Sequence, residues 1–179
     1  MVQIARPDAD EGTDGGWVNE SEGSSLYASI DDDGSADGET TFIYVTDTGS
    51  PDTCIVELAP ISAPVSGNVY IKYTALSEDN SGDPPGIEIR LLEGGATRGA
   101  AHTNNSVASS WGTEVTSSAI DVSSVSDWGN LELKITMLTA DGGGMDYLKV
   151  TQAYLETPEA AGGSSAKIPV TLFINGMST

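Results

Sequence analysis

Positive charge is what this 179-residue sequence has least of: 7 Lys and Arg stand against 27 Asp and Glu, giving a formal net charge of −20. Binding to nucleic acid or to anionic lipid needs clustered bases. The bases here are dispersed (Arg6, Lys72, Arg90, Arg98, Lys134, Lys149 and Lys167), which argues against both partners. Cysteine is nearly absent. A lone Cys54 cannot form an intramolecular disulfide or a Cys-based metal knuckle, and its place in an apolar run marks it as a small buried residue. Apolar runs are short, none approaching the roughly 18 residues of a membrane-spanning helix. Met1–Asp8 lacks the apolar core of a signal peptide, so the expected protein is soluble and not exported by the general secretory route.

Charged residues make up only 19% of the chain, below the ~25% of an average domain. The acidity therefore comes from missing bases and not from an excess of charge, which speaks for a folded domain. Self-repulsion at this net charge is relieved when the screening length shrinks to about 3 Å in molar salt. Together with the Asp-rich loops and many small residues, this composition is similar to that of haloarchaeal proteins. The expected consequence is a melting temperature that climbs as KCl is raised toward molar concentrations. A melting temperature flat in KCl would mean that the acids form a binding surface instead.

What is present is strand signal. Period-2 alternation is clearest in Val69-Tyr70-Ile71-Lys72-Tyr73 and Leu131-Glu132-Leu133-Lys134-Ile135, as expected for strands wet on one face only. Strands are predicted at 40–46, 53–59, 69–76, 87–92, 113–120, 131–138, 147–156 and 168–174. Between them lie loops of Gly, Asp, Ser and Pro, including 94–99 and 103–110, and Ser24–Ile30 suits a short helical turn capped by Ser24 or Ser25. The fold class is all-β: a two-sheet antiparallel β-sandwich, jelly-roll-like. Residues 1–157 form the sandwich domain, and 158–166 read as a flexible Gly/Ser/Ala linker. Residues 167–179 then form a C-terminal strand or arm that adds to a sheet edge of the same molecule or of a neighbour.

Catalytic motifs are thin. His102 is the only imidazole, no nucleophile elbow accompanies it, and it reads as a solvated surface residue; no enzyme activity is expected. No cofactor is expected apart from calcium. Hard oxygen ligands spaced two apart favour that ion, and two acidic runs offer Asp8, Asp10 and Asp14, and Asp31, Asp33 and Asp37. Neither fits the EF-hand pattern, and solvated loops are the alternative. Trp17, Trp111 and Trp128 suit core or interface packing, with a sugar-stacking platform as the alternative. Val2, Ile4, Ile168, Val170, Leu172 and Ile174 are the candidate intermolecular contacts, being apolar and close to flexible residues.

A series of segments resembles a β-sandwich module common among structural proteins of tailed viruses and proviruses. These are Ile4-Ala5-Arg6-Pro7-Asp8 with Gly15-Gly16-Trp17, Ser25-Leu26-Tyr27-Ala28-Ser29-Ile30, Thr41-Phe42-Ile43-Tyr44, Ile87-Glu88-Ile89-Arg90-Leu91-Leu92, Val125-Ser126-Asp127-Trp128-Gly129-Asn130-Leu131 and Ala153-Tyr154-Leu155-Glu156. The resemblance spans most of residues 2–157 and implies a non-enzymatic virion protein, on the head surface before the tail. That protein would be a capsid decoration or turret protein of a haloarchaeal tailed virus. It would act as a homo-oligomer, trimer or pentamer, bound to other virion proteins such as the major capsid protein. The alternative is a tail or fibre carbohydrate-binding sandwich that grips host surface glycan through Trp111 or Trp128 and a calcium loop.

Overall fold

A computed structural model describes residues 2–13, 16–20, 25–31, 41–46, 50–78, 84–138 and 146–160. Among them are eleven strands and no α-helix: β1 (Val2–Ala5), β2 (Pro7–Thr13), β3 (Val18–Asn19), β4 (Ile43–Thr46), β5 (Asp52–Leu58), β6 (Tyr70–Glu78), β7 (Gly86–Glu93), β8 (Ala96–Asn104), β9 (Val115–Thr116), β10 (Leu131–Leu138) and β11 (Tyr147–Pro158). A single 3₁₀ turn, Tyr27–Ser29, lies between β3 and β4. All strand pairings are antiparallel. One sheet runs β3-β4-β11-β6-β9 with β1 also on β11, and the other runs β2-β5-β10-β7-β8. This is the expected jelly-roll-like β-sandwich.

The alternating residues explain the two layers. Leu131, Leu133, Ile135 and Met137 of β10 meet Ile71 and Tyr73 of β6 and Leu148 and Val150 of β11 in one buried core that also takes in Cys54. Successive residues of a strand point to opposite faces, so Tyr44, Tyr147, Lys149, Lys72 and Glu78 are left on the outer face of the first sheet. The long strand β11 organises that sheet. Its Tyr147–Val150 half pairs with β4 and its Leu155–Pro158 end with β1, on the flank opposite β6. Asp31 bridges to Gln152 between them, where a bulge shifts the β11–β6 register.

The structure departs from the predicted strands in several places, beginning with β1 and β3, which fall before the first predicted strand. β8 occupies residues read as loops at both of its ends, and Gly94 and Gly95, with φ of 54° and 79°, make the two-residue turn that folds it back on β7. Positive φ at both central positions is the type I′ geometry of tight hairpins. β2 occupies the first acidic run, kept in register with β5 by two irregularities. The predicted strand 113–120 shrinks to Val115–Thr116 plus a bridge between Val69 and Ile120. There, Ser117 Oγ accepts the Ile71 N–H at 3.0 Å, so a side chain stands in for a ladder carbonyl. The strand end at Pro158 lies inside the predicted linker, and Ala160 still bridges to Pro64. The remainder of the linker and the arm, with Ile168, Val170, Leu172 and Ile174, lie outside the described residues.

Glu93 fastens the hairpin end to the loop before β10. It accepts from Arg98 Nε and Ser126 Oγ at 2.6 Å each and from the Asp127 N–H at 2.7 Å. The Ser126 hydroxyl, then Arg98, then the backbone N–H groups pull its carboxyl down to about 2. A depressed folded-state value gives stability that is present above the unfolded carboxylate range and lost as pH falls through the folded value. Glu93→Gln should therefore be less stable than the parent at pH 7, with the difference shrinking from about pH 4.5 toward pH 2. Urea melts across that range check it; a difference constant with pH would contradict the assignment.

Candidate functional site

The outer face of the first sheet carries a succession of aromatic rings from elements remote in sequence. Phe42 precedes β4, Tyr44 is in it, Tyr147 opens β11, and Trp111 belongs to the segment between β8 and β9. Ring centroids lie 6.0 Å apart for Trp111–Phe42, 6.1 Å for Phe42–Tyr44 and 6.3 Å for Tyr44–Tyr147. The Phe42–Tyr44 pair is edge-on and the other two are tilted, all within the range of favourable aromatic contact. Phe42 and Tyr44 share a face because Ile43 and Val45, beside them, point into the core. Lys149, cross-strand from Tyr44, places its ammonium 5.1 Å from the Phe42 centroid and forms an ion pair with Glu78.

These residues line a groove with two lobes that share Glu20, Phe42, Glu78 and Lys149. The larger, about 630 Å³, adds Leu76, Ser109, Ser110 and Trp111; the smaller, about 130 Å³, adds Tyr44 and Tyr147. The walls thus offer apolar ring surface beside hydroxyl, carboxylate and ammonium groups. A comparably large opening on the outer face of the second sheet, about 680 Å³, is lined by Thr53, Ile55, Glu88, Arg90, Lys134 and Thr136 among others and has no aromatic side chain.

Glu114 holds the Trp111 segment in place. Its carboxylate accepts from Tyr154 Oη at 2.6 Å and Gln152 Nε2 at 3.2 Å, both on β11, and Lys72 Nζ lies 3.4 Å away. Burial, then the accepting Glu114 carboxylate, pushes the Tyr154 phenol up to about 12, so the proton stays on the phenol as a donor at neutral pH. At the start of the segment, the Ser77 N–H donates to the Ala108 carbonyl at 2.8 Å and Ser77 Oγ to the Val107 carbonyl at 2.9 Å. Trp111 is thereby carried over the sheet to Phe42.

The residues singled out in the sequence are distributed differently. Among the tryptophans, Trp17 is buried and Trp128 packs half-buried against the core, as expected. Trp111 does not belong to the core; it lines the groove. His102 is not a solvated loop residue: it sits on β8, half-buried, with Nε2 3.1 Å from Tyr73 Oη, and burial lowers its pKa. Asn104 Nδ2 also donates to Tyr73 Oη at 3.1 Å, so the imidazole belongs to a packing network.

Asp10 is spent on structure. Its carboxylate accepts the N–H groups of Leu26 and Tyr27 at 2.8 and 2.7 Å, capping the start of the 3₁₀ turn; Ser24, one of the two expected caps, lies outside the described residues. Asp8 and Asp31 are exposed; Asp14, Asp33 and Asp37 lie outside the described residues. Among the described residues no three His, Cys, Asp or Glu side chains are grouped to hold a metal ion. Val2 and Ile4 are 57% and 41% exposed, on a strand that pairs along one side with β11 of the same chain.

No protein-family profile and no curated protein matches the sequence. Solved structures of related shape exist. The chain is similar to a xylan-binding module, CBM15, at 12% identity and a TM-score of 0.48, with 90% of this chain and 99% of that one covered. For a carbohydrate-binding module specific for non-crystalline cellulose, CBM28, identity is 12%, the TM-score 0.46 and coverage 83% and 94%. For an apo-form cyclase from Fischerella sp., identity is 13%, the TM-score 0.41 and coverage 87% and 89%. Likeness of this degree assigns neither ligand nor activity to this chain.

Proposed function

We propose that the protein is a glycan-binding β-sandwich module whose ligand lies in the groove on the outer face of the first sheet. The observation that carries this reading is the ring succession Trp111, Phe42, Tyr44 and Tyr147, edged by Glu20, Glu78 and Lys149. A pyranose ring is amphipathic. Its C–H faces stack on aromatic rings while its equatorial hydroxyls need donors and acceptors at the rim, and binding sites commonly combine apolar walls with a few placed polar groups. This reading takes up the carbohydrate-binding alternative drawn from the sequence, with Trp111 as its indole and without Trp128 or a calcium loop.

The half-buried state of the four rings also supports it, because a ring wholly inside the core offers no face to a ligand. The viral setting expected from the sequence would make the ligand a host-surface glycan; the binding test does not depend on that setting. Native gels cast with soluble xylan, mixed-linkage glucan or galactomannan test the reading. Retardation of the parent by at least one of them is expected, and migration unchanged in every gel would overturn it.

A further inference from the structure

We infer that the groove selects an internal stretch of an uncharged polysaccharide over a polyuronate and over a single terminal sugar, an inference that rests on the glycan-binding reading. Charge and length carry it separately.

Charge comes first. Among the described residues, the lysines on this face are already paired with carboxylates of the chain, Lys149 with Glu78, and Lys72 with Glu114 at 3.4 Å and Glu156 at 3.0 Å, while Arg6, outside the groove lining, lies over the Tyr154 ring and donates to the Asp31 carbonyl. The hydrogen bond to Glu156 comes first among the causes that raise the Lys72 pKa, keeping that lysine charged and paired. Glu20, at the groove rim, is left over. The chain as a whole sets 27 Asp and Glu against 7 Lys and Arg, a formal net charge of −20, so the long-range field also opposes an anionic ligand. A polyuronate would bring a carboxylate with every sugar and meet, among the described residues that line the groove, a single cation, Lys149, already paired with Glu78. Like-charge juxtaposition of this kind discriminates between partners.

Length is set by the rings. The aromatic side chains follow one another at 6.0–6.3 Å, and the groove continues from the lobe beside Trp111 to the lobe beside Tyr147 across the shared Phe42 and Lys149. A single sugar covers one ring and leaves the others wet; a chain covers several at once, and each further stacked unit adds affinity.

Calorimetric titration of the full chain tests both parts, using neutral hexasaccharides (β-1,4-xylo, β-1,4-gluco, β-1,3-gluco and β-1,4-manno), the corresponding disaccharides, and hexagalacturonate. At 0.1 M NaCl the best neutral hexasaccharide should bind at least about tenfold tighter than its disaccharide and at least about tenfold tighter than hexagalacturonate. At 1 M NaCl, where charges are screened within about 3 Å, the gap to hexagalacturonate should narrow while the gap to the disaccharide persists. Hexagalacturonate binding as tightly as the neutral chain at 0.1 M NaCl would overturn the charge argument, as would a gap indifferent to salt. A disaccharide as tight as its hexasaccharide would overturn the length argument. Absence of binding by every saccharide would instead overturn the glycan-binding reading itself.

Discussion

Trp111→Ala is expected to weaken binding of the best neutral hexasaccharide by about 30-fold or more while changing the melting temperature little. Truncating a central aromatic anchor at an interface typically costs about 2 kcal/mol or more, and each 1.4 kcal/mol is about a tenfold change in affinity. Trp111 meets that description because one side of it is packed on Phe42, 6.0 Å between centroids, and the other opens on the groove. It contributes little to the fold, since the segment is held independently through Ser77 and Glu114. Phe42→Ala should act in the same direction. Because the two rings touch, the double variant should lose less than the product of the single losses, as expected for residues in contact. Trp128→Ala is the control, since that indole packs against the core: stability should fall and affinity should hold. Equal affinity losses for Trp111→Ala and Trp128→Ala would mean that destabilisation, not lost stacking, underlies both.

Leu133→Ala should produce the largest loss of stability among single truncations of β10. Leu133 is fully buried, in the strand flanked by β5 and β7, with Val56 and Leu91 as its cross-strand partners. Ladder neighbours on both sides limit how far the sheet can close over the missing side chain. Leucine-to-alanine truncations at such sites cost about 2–5 kcal/mol, and in a domain of this size each kcal/mol lowers the melting temperature by about 2–4 °C. A fall of roughly 4–20 °C is therefore expected by differential scanning calorimetry. A fall of about a degree would mean that the two sheets pack more loosely than this core implies.

The sandwich was legible in the sequence wherever one face of a strand is apolar and the other polar. Leu131–Leu138 declares its inward residues by alternation, and the structure buries Leu131, Leu133, Ile135 and Met137. β8 could not be read that way. Ala96–Asn104 is an edge strand of mostly exposed small and polar residues, held by its pairing with β7 and by a two-glycine turn, and neither produces an apolar period. β2 was hidden for a similar reason: its Asp residues look like a loop until β5 supplies the ladder. The Asp10 cap is likewise invisible in sequence, because the turn it serves lies sixteen residues away.

The aromatic groove was legible only in part. Trp111 suits packing as well as stacking when read from sequence, whereas Phe42 and Tyr44 lie far from Tyr147 along the chain and become its neighbours only when β4 pairs with β11. A usable signal was nonetheless present. Phe42-Ile43-Tyr44-Val45 and Tyr147-Leu148-Lys149-Val150 alternate two kinds of large side chain, with aliphatic residues on one face and aromatic or cationic residues on the other. A strand that spends large rings on its outer face leaves costly apolar surface in water, which makes that face a candidate for contact with something other than solvent.

The most direct test of the account uses protein labelled with 5-fluorotryptophan, whose three indoles occupy distinct surroundings: Trp17 buried, Trp128 half-buried against the core, and Trp111 in the groove. Fluorine spectra are recorded while the tightest-binding neutral hexasaccharide is added, with the resonances assigned by single Trp→Phe variants. Glycan binding in this groove predicts that the Trp111 resonance shifts saturably while those of Trp17 and Trp128 stay in place. A saturable shift of Trp128 alone, or none at all from Trp111, would contradict it.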